Sequence, residues 1–287
     1  MRVEEPTESL PSPLPAPAVS DAAAAAAAME KRAAEYHARS VAFAHALRKP
    51  PFHPETVHRL RTHLRRLQAY AEFLRRPLVA RRLAQNVKWL SRLRTLDVFR
   101  RYLRRRKAAA RDLRRVAWAL REEEKMVTSA GRLEEISSML AKMTVARVRR
   151  PMAFVENCLS TLRQESSKQL AAALRKLSPE ATRKELHRLR LLVKSLRYQE
   201  EIALETAWGD RRRVEAFKRL QRTLGDYCDR DQFRRLAKKM DLACRREIKK
   251  EYRQYQKKAR KAVRRLGPPE EPLAVGDDAQ ELGGKKP

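Results

Sequence analysis

Two stretches of this chain, about half a chain apart, set histidine and basic residues in the same helical register, and that repeat constrains the fold more than any other feature. The first reads Val57-His58-Arg59-Leu60-Arg61-Thr62-His63-Leu64-Arg65-Arg66-Leu67. The second reads Leu186-His187-Arg188-Leu189-Arg190-Leu191-Leu192-Val193-Lys194-Ser195-Leu196-Arg197-Tyr198. On a helix, His58, Arg61 and Arg65 fall within about 60° of one another. Val57, Leu60, Leu64 and Leu67 form the adjoining apolar stripe, which should face a core. The second stretch repeats this, with His187, Arg190, Lys194 and Arg197 beside Leu186, Leu189, Val193 and Leu196. His58 and His187 lie 129 positions apart, as do Arg61 and Arg190, and Arg65 and Lys194. Two copies in one register point to an internal duplication. Each row sits at the edge of a buried face, so the side chains are placed to line a cavity.

Cations stacked three and four residues apart repel one another and destabilise an isolated helix. Local acids are sparse on these rows: Glu72 and Glu201 lie farther along and can pair with only part of them. Phosphate oxygens satisfy guanidinium forks bidentately, with lysine acting as a point charge and histidine donating a ring N–H. The whole chain agrees: 67 Lys plus Arg against 35 Asp plus Glu give a formal net charge of +32, which calls for an anionic partner. Polyphosphate, nucleic acid and an acidic membrane surface are the candidate classes. A plain solvated helix face is the alternative, and the second copy in register weighs against it.

The fold expected around these rows is all-α. Only 7 glycines occur in 287 residues, Ala, Leu, Arg, Lys and Glu dominate, and nothing in the body alternates like a strand. Residues 1–20 are rich in Pro and Ser and read as a disordered tail, and 267–287 as another. Between them, 21–266 reads as one helical domain with repeats at about 31–149 and 150–265. Asp21 is a candidate cap for the alanine run, Pro77 closes the first motif helix, and Pro151 opens another. Ser178-Pro179-Glu180 reads as the start of the second motif helix, and Gly209 as its end. Cys158, Cys228 and Cys244 are odd in number with no CxxC pair, so reduced thiols are expected rather than a disulfide framework or a zinc site. No signal peptide or membrane span is visible, since the apolar run Ala22 to Met29 is too short, and a cytoplasmic location is expected.

Further basic residues sit on the helices after each motif: Lys88, Arg92, Lys218 and Arg222 are possible additional anion contacts. The run Arg104-Arg105-Arg106-Lys107 and the tract from Arg245 to Lys261 read as exposed basic faces. Asp226 and Asp229 are expected to cap a helix or pair with arginine rather than hold a metal, and Trp89, Trp118 and Tyr198 to be core aromatics. No phosphate-cradling glycine loop, metal spacing or serine elbow is present, so no enzyme, metal or cofactor is expected. Against nucleic acid, only 6% of residues are aromatic and none is expected to interrupt the basic row to stack bases.

The stretch LHRLRLLVKSLRY followed by Glu201, the segment LQRTLGDYCD from Leu220 to Asp229, and in the first half VHRLRTHLRRL and WLSRLRTLDV from Trp89 to Val98 resemble the CHAD family, the conserved-histidine α-helical domain. The resemblance covers roughly residues 31–265. It implies paired four-helix bundles related by a pseudo-two-fold, and binding of inorganic polyphosphate in a basic central groove, at polyphosphate granules in some settings. Carried to this chain, the binding role falls to His58, Arg61, Arg65, Arg66, His187, Arg190, Lys194 and Arg197. The family's Arg-Asp-x-Asp reads Arg94-Thr95-Leu96-Asp97 here, so its first acid is missing, and Gln68 and Ser195 make the surface less basic.

Overall fold

A computed structural model describes residues 22–48, 50–143, 152–177, 180–205 and 210–265. Ten helices occupy these residues: α1 Ala22–Ala46, α2 Pro54–Phe73, α3 Pro77–Trp89, α4 Ser91–Arg105, α5 Ala110–Ser129, α6 Arg132–Lys142, α7 Met152–Arg175, α8 Arg183–Glu205, α9 Arg211–Lys239 and α10 Arg245–Arg264. There is no strand among the described residues, so the fold is all-α. The segments read as tails, together with Asp21, Pro151, Ser178, Pro179 and Gly209, lie outside the described residues.

Proline opens two of these helices. Pro54 and Pro77 stand at the first positions of α2 and α3, where a missing N–H costs nothing. The start of α8 differs from the sequence expectation. The helix begins at Arg183, and its cap is a reciprocal pair: the Thr182 amide donates to the Glu185 carboxylate at 2.7 Å, and the Glu185 amide to the Thr182 hydroxyl at 3.4 Å. Three other ends share one device. Arg75, Lys107 and Asp241 adopt positive φ after α2, α4 and α9. At each, the next amide reaches back five residues, from Arg76 to Ala71, Ala108 to Leu103 and Leu242 to Ala237. These are Schellman closures with a side chain where glycine is usual.

The chain order α1, α2, α3–α4, α5 is followed by α7, α8, α9, α10, and helices in matching places pack alike. α1 lies on α2 as α7 lies on α8, and α4 on α5 as α9 on α10. Among the described helices α6 has no counterpart; it closes back on α1. The joint at Leu90 divides α3 from α4, whereas α9 runs unbroken for 29 residues. The core has three parts. One fills the space among α1, α2, α3, α5 and α6 and takes in Ile202 and Ala203 of α8. A second joins α8 and α9. The third crosses the molecule: Phe99 and Tyr102 of α4 stack on Phe233 of α9, with ring centroids 5.0 and 4.8 Å apart. These contacts bring α2 against α8 and α4 against α9, which sets the two histidine-bearing helices side by side. Trp118 departs from its expected place in the core. It is 61% exposed on α5, because Val116, Ala119 and Leu120 take the inward face of that helix.

Candidate functional site: a buried row of cations between α2 and α8

The apolar stripes behave as their spacing demands. Val57, Leu60, Leu64 and Leu67 of α2 and Leu186, Leu189, Val193 and Leu196 of α8 are all buried. Their burial fixes the rotation of each helix, and the adjoining basic residues are thereby held at the α2–α8 contact. Arg61, Arg65, Arg190, Lys194 and Arg197 are only partly exposed, and each of the first three acts electrostatically on residues of the opposite helix.

Burial is the largest influence on every shifted member of this group, and like charge is next for two of them. Burial and then Arg65, Arg190, Arg61 and Arg197 hold the Lys194 ammonium down to about 6. Burial, Arg65 and Arg94 push Arg61 down, and its guanidinium still stays charged at neutral pH. Arg65 is pushed down by burial and partly restored by Tyr198, whose hydroxyl is its hydrogen-bond partner. The same Tyr198 ring lies under Arg197 at 4.4 Å and Lys194 at 5.8 Å. Among the described residues, Glu201 comes 3.7 Å from Arg197 Nε, and the Asp229 carboxylate of α9 interacts electrostatically with Arg190. The Nε–H groups of Arg61, Arg190 and Arg197 are buried and meet no hydrogen-bond acceptor among the described residues. Arg61 is steadied by donating an Nη2 hydrogen bond to Ser91 Oγ at 3.2 Å.

The two histidines flank the arginines. Burial pushes His58 down, reinforced by Arg94, with Glu55 opposing. Burial and Arg190 do the same to His187, so both rings are neutral near pH 7 in the free protein. His187 Nδ1 lies 3.8 Å from Cys228 Sγ, at the wall of a cavity of about 310 Å³ between the start of α8 and α9. Burial raises the Cys228 thiol to about 11, which makes it inert as a nucleophile.

Not every residue singled out from sequence joins the row. Arg66 turns to α1, donating to the Tyr36 hydroxyl at 2.9 Å with its guanidinium 4.8 Å from the ring centroid. Arg92 reaches α5, where Glu123 lies 3.1 Å away, and Lys218 pairs with Glu215 at 2.8 Å. Lys88 and Arg222 are exposed on α3 and α9. Gln68 donates to Glu72 at 2.8 Å. The altered motif still makes its structural contact: Asp97 binds Arg94 at 3.0 Å and Arg101 at 2.8 Å. Thr95, in place of the acid, sets its hydroxyl 2.9 Å from Ser91 O and 3.2 Å from the Gln232 side chain. Asp229 sits mid-helix in α9, where burial raises its carboxyl and Arg190, Arg230 and Arg94 oppose that shift.

Sequence reasoning missed two members of the site. Arg94 acts on both His58 and Arg61 from α4, and Tyr198 is a platform for cations as well as a buried ring. The signal for Tyr198 was present, one residue after Arg197 and four after Lys194. Nothing local signalled Arg94, which reaches the row only through the α2–α4 contact.

An all-helical body built around a buried, carboxylate-poor row of cations defines the class of protein. More particularly, the chain belongs to the CHAD domain family, whose model matches residues 27–238. No curated protein matches the chain. Among the described residues no helix is long and apolar enough to cross a membrane, and no group of three or more His, Cys, Asp or Glu is placed to hold a metal ion.

Proposed function

We propose that this protein binds inorganic polyphosphate along the row formed by Arg61, Arg65, Arg190, Lys194 and Arg197, with His58 and His187 flanking it, as a binding module rather than an enzyme. The observation that carries the reading is the set of buried Nε–H donors on Arg61, Arg190 and Arg197 that no acceptor among the described residues meets. Burying like charges together is costly unless anionic oxygens arrive to satisfy them. A linear polyanion with an oxygen pair at every unit supplies acceptors to both helices at once. Membership of the CHAD family supports the same ligand, since the family is associated with polyphosphate. The matching packing of α1–α5 and α7–α10 supports a duplicated architecture with a pseudo-two-fold between α2 and α8. Residence on polyphosphate granules follows as the cellular setting.

Position dependence tests the reading. Arg190→Ala with Lys194→Ala removes contacts worth roughly 1.5–3 kcal/mol each, and neighbours in one network do not simply add. Arg104→Ala with Arg105→Ala removes the same charge from an exposed part of α4. At one fixed salt concentration, the first pair should lose at least tenfold more affinity for long polyphosphate than the second, about 1.4 kcal/mol. Equal losses would assign binding to bulk charge. RNA and duplex DNA serve as competitors in the same titration, and displacement of polyphosphate by either at equal phosphate concentration would favour a nucleic-acid ligand. Incubation with and without magnesium should release no orthophosphate; release that depends on one row residue would make the protein an enzyme.

A further inference from the structure

The two ends of the cation row are built differently. α3 and α4 together run from Pro77 to Arg105, and α9 from Arg211 to Lys239, spans of equal length. In that register Asp97 falls on Asp231, Phe99 on Phe233, Arg101 on Arg235 and Lys107 on Asp241, and both acids are buried among arginines. The same register sets Arg94 on Cys228. The register of α2 and α8 sets Glu55 on Lys184 and Arg59 on Arg188.

At the His58 end, therefore, the Arg94 guanidinium reaches Asp97 at 3.0 Å, and Glu55 and Arg59 neutralise each other at 3.1 Å. At the His187 end a short thiol stands where Arg94 would be, and the cavity of about 310 Å³ opens beside it. Lys184 and Arg188 stand on its α8 side, where the first half has a neutral pair. The one carboxylate among the described residues of the wall, Asp231, is already met by Arg183 at 3.3 Å, Arg234 at 3.0 Å and Arg235 at 3.1 Å. One end of the row is filled by Arg94 and sets two acids, Glu55 and Asp97, against its arginines; the other is open and more cationic. A cavity of this size is at the low end of those that hold small ligands.

We infer that the cavity beside His187 is an end subsite, which takes the terminal, doubly ionised phosphate of a polyphosphate chain. This rests on the polyphosphate reading above. An interior phosphate of such a chain carries one negative charge, whereas a terminal one gains a second near neutral pH, as a phosphate monoester does. Lys184, His187 and Arg188 offer that extra charge several donors, whereas at the other end Asp97 already engages Arg94 and Arg101, and Glu55 engages Arg59.

The test compares short polyphosphate of one defined length with its ends free and with both ends converted to alkyl phosphoramidates, which removes the second ionisation. Both affinities are measured at one fixed salt concentration, and their ratio is read, so a general loss of charge cancels. The protein should prefer free ends by at least about tenfold, the low end of one charge-assisted contact. Lys184→Ala with Arg188→Ala should bring the ratio close to one, and Arg104→Ala with Arg105→Ala should leave it in place. Cys228→Arg, which fills the cavity as Arg94 does, should also abolish the preference; if circular dichroism shows that variant unfolded, the exposed double variant decides. Equal binding of the two chains, or a ratio that Lys184→Ala with Arg188→Ala does not move, would overturn the end subsite alone. Absence of binding to either chain would overturn the polyphosphate reading and this one with it.

Discussion

Lys194 is the residue on which the site's response to pH depends. Four arginines act on it, and arginine does not give up its proton in a protein, so discharge falls to the lysine. With its folded value held at about 6, the unfolded chain binds one more proton than the free native protein from there up to the ordinary lysine range. Stability of the unliganded protein should therefore rise with pH across that window, and Lys194→Met should flatten the rise. A bound polyanion reverses the balance by favouring the ammonium form. Binding at pH 8, where His58 and His187 stay neutral, should then take up about one proton, and affinity should fall as pH rises. Calorimetry in buffers of different ionisation heat reads the uptake directly. Lys194→Arg, charged throughout, should bind with uptake near zero; an unchanged uptake would place the titrating group elsewhere.

Helix ends decide where the site residues are placed along their axes. Thr182 caps α8 one turn before His187, so Thr182→Ala should cost about 1 kcal/mol in a urea melt and fray the helix that carries the row. The three Schellman closures hold Arg75, Lys107 and Asp241 in the left-handed region, which disfavours any side chain by roughly 1–2 kcal/mol. Lys107→Gly should accordingly raise stability by about 0.5–1 kcal/mol, and Lys107→Val should lower it. Pro77 marks the first of these ends, but after α4 and α9 the stop signals normally sought, glycine and proline, are missing. The ends after Arg105 and Lys239 are thus poorly legible in sequence, even though both fold into the same closure. The start of α8 was misplaced for a related reason. Ser178-Pro179-Glu180 and Thr182-x-x-Glu185 are both valid start signals four residues apart, and local chemistry does not rank them.

At the scale of the whole molecule, stability and binding are coupled through the crossing core. Phe99 is fully buried and stacks on Phe233, so Phe99→Ala should cost about 3–5 kcal/mol. That contact also sets how α4 meets α9, so the variant should weaken polyphosphate binding without touching a cation. The ligand, in turn, should stabilise the fold by about 2.7 kcal/mol at a hundred times its Kd. A thermal melt should show this as a rise in Tm that shrinks steeply with added salt, because phosphate contacts release counterions. A rise that salt leaves intact would point to a ligand held by something other than these cations.

The sequence by itself determined the helices, the faces they bury and the rows of His, Arg and Lys beside those faces. Helical periodicity is a local property, and the Leu and Val of each stripe leave one orientation that hides them from water. It also identified the family, through short motifs that need no neighbours to be recognised. What the tertiary structure alone decided is which cations share one space. Arg61 and Arg65 act on Arg190 and Lys194 only because α2 packs on α8, while Arg66, one residue from Arg65, turns to Tyr36 of α1. Arg94 enters the site from α4 and Arg92 leaves it for Glu123 of α5, though the two are equally basic in sequence. Desolvation and like-charge repulsion belong to that packing. They depend on distance and on the water removed when the helices meet, and neither quantity is written along a single helix.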